Sequence, residues 1–99
     1  MFFKHYKGRY YQSLGYVTDA NNDSSMILYI PLYACEKRFF VREYIDFIQI
    51  VEYENKKVQR FTSIPEYQLP EDAKQYILHR EDIGSMLALT KANHSMIIE

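Results

Sequence analysis

Tryptophan is absent from this 99-residue chain, cysteine occurs once, and glycine and proline occur three times each. Each scarcity closes off a class. The lone Cys35 cannot build an intrachain disulfide framework, and it cannot complete a zinc site without remote carboxylates. The histidines, His5, His79 and His94, show no metal-ligand spacing, so neither a structural metal nor a cofactor is expected. No Gly-rich phosphate loop and no nucleophile elbow can be read anywhere in the chain. An excess of positive charge is also missing: 12 Lys and Arg stand against 13 Asp and Glu, a formal net charge of -1. Nonspecific nucleic-acid binding needs clustered cations, so extended nucleic-acid binding is not expected, although a local basic pocket is compatible with this balance. No apolar run approaches the ~20 residues that cross a bilayer, the longest lying between Met26 and Cys35. No charged segment followed by an apolar one opens the chain. A soluble protein without a membrane partner, located in the cytoplasm, is the expectation.

What is plentiful is apolar and aromatic. Hydrophobic residues make up 47% of the chain and charged ones 25%, which supplies one core and leaves little room for extended disorder. At this length a single domain is expected, without two lobes around a cleft. Ten tyrosines mean that many rings carry a hydroxyl, which needs a partner if buried and can grip a polar ligand if it lines a pocket. Strand preference alone also accounts for tyrosine on a half-buried pleated surface.

The first two thirds read as strands. Phe2 to Lys7 alternates, with Phe3, His5 and Lys7 on one face and Phe2, Lys4 and Tyr6 on the other, before Gly8-Arg9 turns the chain. Tyr10 to Val17 is a second strand, in which Gly15 predicts a bulge or sharp bend. Asp19 to Ser25 is rich in short polar side chains that bond their own backbone, so it reads as an exposed loop. Met26 to Ala34 is the most apolar strand. Met26, Leu28, Ile30 and Leu32 fall on one face and Ile27, Tyr29 and Tyr33 on the other, so both faces require cover. Pro31 removes a ladder donor and places this strand at an edge or bulge near that point. Arg38 to Arg42 follows as a strand and Glu43 to Phe47 as a helical turn. Ile48 to Tyr53 and Lys57 to Ile64 complete a hairpin around Glu54-Asn55-Lys56.

Composition then changes. Pro65 and Pro70 bracket a linker, and Pro70-Glu71-Asp72 is a helix start, with proline in the first turn and carboxylates at the positive end of the dipole. Ala73, Tyr76, Ile77, Ile83 and Leu87 recur near helical spacing, predicting a helix toward Ala92, with an interruption near Arg80 to Gly84. Met96-Ile97-Ile98 is compatible with an added strand or a frayed end. The fold class is therefore mainly β (α+β). Residues 1–64 form a small curled sheet or barrel of five to six antiparallel strands, and residues 65–99 form a C-terminal helical extension packed on it. Short strands broken by Gly and Pro must curl to protect their edges at this size.

The ordered set His5-Tyr6-Lys7-Gly8, Tyr11, Gly15, Tyr29, Leu32-Tyr33, Phe40-Val41-Arg42, Phe47 and Arg60-Phe61 resembles the signature of a small bacterial and phage family, domain of unknown function 1653. The match covers roughly residues 3–64. The resemblance implies an SH3-like β-barrel and brings no settled activity with it. Two departures stand out. Thr18-Asp19-Ala20-Asn21-Asn22-Asp23 replaces the His-Ser-x-Thr-like segment usual in the loop after the second strand, so no role for a loop histidine carries over. Glu43 stands where proline usually follows the strand arginine.

Among residues that carry chemistry, His5, Lys7, Arg42 and Arg60 with Tyr29 and Tyr33 form the strongest candidate constellation. On neighbouring strands they make a cationic patch edged by aromatic rings. Guanidinium pairs bidentately with phosphate while tyrosines stack and donate hydrogen bonds, so the patch suits an anionic, planar ligand. The same cations can instead pair with Glu43, Asp46 or Glu52 and hold strand ends together, with His5 satisfying a carbonyl. The preferred function is a noncatalytic binding module for a nucleotide-like or other phosphorylated small molecule, sequestering a signalling nucleotide in the phage setting that the resemblance implies. A protein-interaction adaptor or phage-encoded inhibitor is the alternative, since tyrosine and arginine also anchor interfaces. A small hydrolase with His5 as general base ranks last because no orienting acid can be placed beside it, and Cys35 reads as a small hydrophobe rather than a nucleophile. An aromatic face and an edge strand can both be buried by pairing, which leaves a homo-oligomer open.

Overall fold

The computed structural model describes residues 1–79. Among them the chain is mainly β, with seven strands in two antiparallel sheets. Strands β1 (Phe2–His5), β2 (Tyr10–Thr18), β3 (Ser25–Pro31), β4 (Phe40–Glu43) and β7 (Phe61–Ile64) form one sheet in the order β4-β3-β2-β1-β7, while β5 (Ile50–Tyr53) and β6 (Lys56–Gln59) make a separate hairpin. One-turn helix α1 (Tyr44–Phe47) follows β4, and a 3-10 turn (Glu66–Gln68) precedes the one-turn helix α2 (Glu71–Lys74).

Alternation divides the large sheet into two apolar faces. The inner face carries Ile27, Tyr29, Phe40, Phe47 and Phe61, with Phe3 and Tyr11 packed against them. The outer face carries Leu28, Ile30, Leu32, Phe39 and Val41, and these pack with Leu69, Ala73 and Leu78 from the segment after the sheet. The two-sided apolar pattern of β3 thus has its reason: aromatic rings cover one side and the returning chain covers the other. The Cζ of Arg42 on edge strand β4 lies 5.8 Å from the ring centre of Phe61 on the opposite edge strand β7. The sheet therefore coils into a half-barrel whose two edges face each other, and Phe47 of α1 fills the gap by stacking on Phe61 at 4.0 Å with a 3° interplanar angle.

Gly15 marks the expected bulge: the register between β2 and β3 shifts between Ser13 and Gly15. Asp19 to Ser24 is a loop in which the Asp19 and Asn22 side chains accept bonds from the Asn21 and Ser24 amides at 2.8 and 2.9 Å. Pro31 lies where the β4 partnership has already ended at Tyr29↔Phe40, so its missing N–H costs no ladder bond on that side.

Four expectations are corrected. The first strand ends at His5, not Lys7, because the Lys7 amide donates to His5 Nδ1 and the Gly8 amide to His5 O, closing a turn early; Gly8 provides the φ of 105° that this turn requires. The β3 strand stops at Pro31 rather than Ala34. The expected strand Lys57 to Ile64 is two strands in different sheets. Arg60 forms the corner, its N–H bonded to Gln49 O and its carbonyl to the Tyr6 amide, so β6 stays with β5 while β7 crosses to β1. The long helix is, in the described residues, a single turn ending at Lys74, after which Gln12 captures Leu78: the Gln12 side-chain amide donates to Leu78 O and its carbonyl accepts from Leu78 N, both at 2.8 Å. The remainder of that expected helix and the Met96-Ile97-Ile98 segment lie outside the described residues.

Candidate functional site

The inner face opens onto a cavity of about 150 Å³ walled by His5, Tyr11, Tyr29, Tyr33 and Arg42 over a floor of Phe40 and Phe61. Register explains why these residues meet. His5 pairs with Phe61 across β1 and β7, and Tyr29 with Phe40 across β3 and β4. Arg42, two residues beyond Phe40, points to the same face. Tyr33 reaches in from the segment after β3 and shares a 2.8 Å hydrogen bond with the hydroxyl of Tyr11. Edge-to-face contacts of Tyr11 with Tyr29, Tyr33 and Phe61, centroids 5.5 to 5.6 Å apart, hold the wall rigid.

The polar groups have defined states. Arg42 Nε donates to the Tyr29 hydroxyl at 3.4 Å, and its guanidinium lies over Phe61. Among the described residues no carboxylate pairs with Arg42. Burial, then the positive charges of Arg42, Arg60 and Lys7, lower the pKa of His5 below its ordinary 6.5. The imidazole is accordingly neutral near pH 7, and because Nδ1 accepts the Lys7 N–H at 3.1 Å, the ring proton resides on Nε2. Burial and the bond with Tyr33 push the Tyr11 phenol far above its usual value, so it stays protonated. The pocket therefore offers a guanidinium, a neutral imidazole and three phenols, with no anionic side chain lining it.

Of the six residues singled out in the sequence, the fold gathers His5, Tyr29, Tyr33 and Arg42 around this cavity. Arg60 turns away: its Nε bonds Asp46 O at 3.0 Å and its Nη2 bonds Gln49 Oε1 at 3.1 Å, clamping the end of α1 to the β6–β7 corner. Lys7 is exposed, with its ammonium 5.7 Å from the centre of the Tyr6 ring. Both still act on His5 through their charge. Tyr11, Phe40 and Phe61 are wall and floor residues that chemistry-first reasoning passed over. Strand alternation carried the signal, because Arg60 and Phe61 are adjacent and cannot both face inward.

The comparisons fit this architecture. No curated protein matches the chain. A crystal structure of a DUF1653 protein from Bordetella bronchiseptica is similar at a TM-score of 0.65 and 25% identity, over 71% of this chain and 90% of that one. The family model described as "Protein of unknown function (DUF1653)" matches residues 1–63, where every strand but the last residue of β7 lies, and the chain belongs to that family.

Proposed function

We propose that this protein is a noncatalytic binding module whose inner cavity holds the anionic head of a phosphorylated small molecule. The observation that carries the reading is Arg42: a half-buried guanidinium bonded to a tyrosine hydroxyl, at the wall of a cavity, without a carboxylate partner among the described residues. A partly desolvated cation gains most from a counter-charge that also fills its donor fork, and phosphate does both. A neutral His5 donating from Nε2 and the tyrosine hydroxyls add hydrogen bonds beside the guanidinium. At about 150 Å³ the cavity is smaller than the roughly 300–1,000 Å³ of whole small-molecule sites, so it suits a head group. Sequestration of a signalling nucleotide is the role such a module would serve if the remainder of the ligand is a nucleoside.

Calorimetric titration with ribose 5-phosphate tests the head-group site. Binding is expected, weakened roughly tenfold or more in Arg42→Ala because a charge-assisted hydrogen bond contributes ~1.5–3 kcal/mol. Arg42→Lys, which keeps the charge and loses the fork, falls between. Absence of binding, or an Arg42→Ala protein that binds like the wild type, rejects the proposal.

A second reading, a protein-interaction adaptor, draws on a different surface. Tyr16, Tyr44, Ile45, Ile48 and Ile50 are exposed around α1 and the start of β5, with the Tyr16 and Tyr44 rings 5.9 Å apart. Apolar and aromatic side chains grouped in this way anchor interfaces. In that case function follows Ile45→Asp and is indifferent to Arg42→Ala.

A further inference from the structure

His5 and Arg42 line one cavity from opposite edges of the coiled sheet, His5 on β1 and Arg42 on β4. The imidazole is half-buried, and its Nδ1 is engaged by the Lys7 amide at 3.1 Å. Its other ring nitrogen, Nε2, has no hydrogen-bond partner among the described residues. The cavity thus has two nitrogen donors in its wall, a guanidinium and an imidazole N–H, and an anionic oxygen is the acceptor that suits both.

Charge around the imidazole is of one sign. Lys7 in the adjoining turn, Arg42 on β4 and Arg60 at the β6–β7 corner face it as cations, while the rings of Tyr6, Tyr11 and Phe61 pack on it at 4.4, 6.3 and 4.9 Å. No carboxylate is among these neighbours. Partial burial and the three cations therefore oppose a second proton on the ring. An anion bonded to Arg42 reverses the balance, because it offsets the strongest of those cations and attracts positive charge on the imidazole directly. Protonation gives up the bond to Nδ1, but the amide released belongs to exposed Lys7, where water can replace it.

We propose that His5 takes up a proton as the head group enters, so that imidazolium and guanidinium together hold a doubly charged anion. This rests on the head-group reading of the cavity. Proton and ligand are then coupled reciprocally: the factor by which the anion raises the proton affinity of His5 is the factor by which the proton raises affinity for the anion. Binding strengthens as the pH falls through the range in which His5 is neutral in the free protein and charged in the complex. A dianionic head gains more from the second cation than a monoanionic one, so His5 sets the ligand charge that the site prefers.

NMR titration of the histidine rings in the full chain, free and saturated with ribose 5-phosphate, tests the coupling, with His5 assigned through His5→Gln. The His5 midpoint is expected to move to higher pH in the complex while that of exposed His79 stays in place. Sulfate supplies a head that keeps both charges across this range, whereas a phosphate monoester itself titrates near pH 6. At constant ionic strength, calorimetry is expected to show sulfate bound roughly tenfold more tightly at pH 5.5 than at pH 7.5, a gain absent in His5→Gln. If ribose 5-phosphate binds in an Arg42-dependent way and the His5 midpoint does not move, this inference fails and the head-group site stands. Equal movement of His5 and His79, or the same pH dependence of sulfate binding in wild type and His5→Gln, also overturns it. If neither ribose 5-phosphate nor sulfate binds, both readings fall together.

Discussion

His5 shows how one side chain can be fixed in charge by its surroundings. Protonating it would place a cation beside Arg42, Arg60 and Lys7, take a half-buried ring out of its neutral state, and break the bond that Nδ1 accepts from Lys7. Its folded pKa lies below the unfolded value of 6.5, so the unfolded chain binds the proton more readily. The contribution of neutral His5 is intact above that value and is lost as the pH falls through 6.5 toward the folded pKa. Chemical denaturation between pH 7.5 and 5 should therefore show falling stability, and His5→Gln, which cannot titrate, should flatten the profile over that interval. A slope identical in the two proteins would assign it to other groups.

The β5–β6 hairpin presents the clearest case at the level of the element. Tyr53 and Lys56 pair across a two-residue loop in which Glu54 and Asn55 both have positive φ, 52° and 64°. That is the geometry of a type I′ turn, whose twist matches the flanking strands and whose preferred occupants are Asn and Gly. Asn55 accepts the left-handed conformation readily; Glu54, with a longer side chain and no local hydrogen bond to offset the strain, does not. Combining Glu54→Asn with Asn55→Gly should stabilise the protein by about 1 kcal/mol, read as a higher denaturant midpoint at unchanged slope. The hairpin reaches the site through Arg60, which ties Asp46 and Gln49 to the corner where the chain leaves one sheet for the other, and through Tyr53, whose ring packs on Tyr6 at 5.1 Å beside His5. Ligand binding should be unaffected by the turn replacement.

At the scale of the molecule, two faces of one sheet are covered by different means. The inner face is closed by its own curvature and by the Phe47–Phe61 stack, worth about 0.5–1.5 kcal/mol beyond area burial. The outer face is closed by chain returning after Pro65, and the polar link in that closure is Gln12, buried on β2, whose amide pairs with both backbone groups of Leu78 as a neighbouring strand would. Gln12→Ala leaves those two groups without partners and should cost about 2 kcal/mol. Amide exchange at Leu78 should accelerate while amides of β1 and β7 remain protected; uniform acceleration across the sheet would mean that the segment is not separately anchored. Because Ala73 and Asp72 on the same segment line a cavity of about 250 Å³ with Leu32 and Tyr33, this latch also positions one wall of that cavity.

Much of this was written in short-range patterns. The curled β fold, the Gly15 bulge, the polar Asp19 loop, the two apolar faces of β3 and the helical turn at Phe47 follow from alternation, turn chemistry and proline geometry, which act between residues near each other in the chain. Four of the residues gathered around the inner cavity were legible for the same reason, since side-chain chemistry and strand phase pick out His5, Tyr29, Tyr33 and Arg42. What local pattern could not decide was partnership. Whether Arg60 faced the cavity or a helix end depended on Asp46 and Gln49 arriving beside it, and the division of Lys57 to Ile64 between two sheets depended on β1 taking β7 as its neighbour. The capture of Leu78 by Gln12 and the bond between the Tyr11 and Tyr33 hydroxyls likewise unite residues distant in sequence. Such pairings are chosen by the packing of the whole chain, because a free hydrogen-bonding group or a vacant apolar face is satisfied by whichever partner the curvature of the sheet brings within reach.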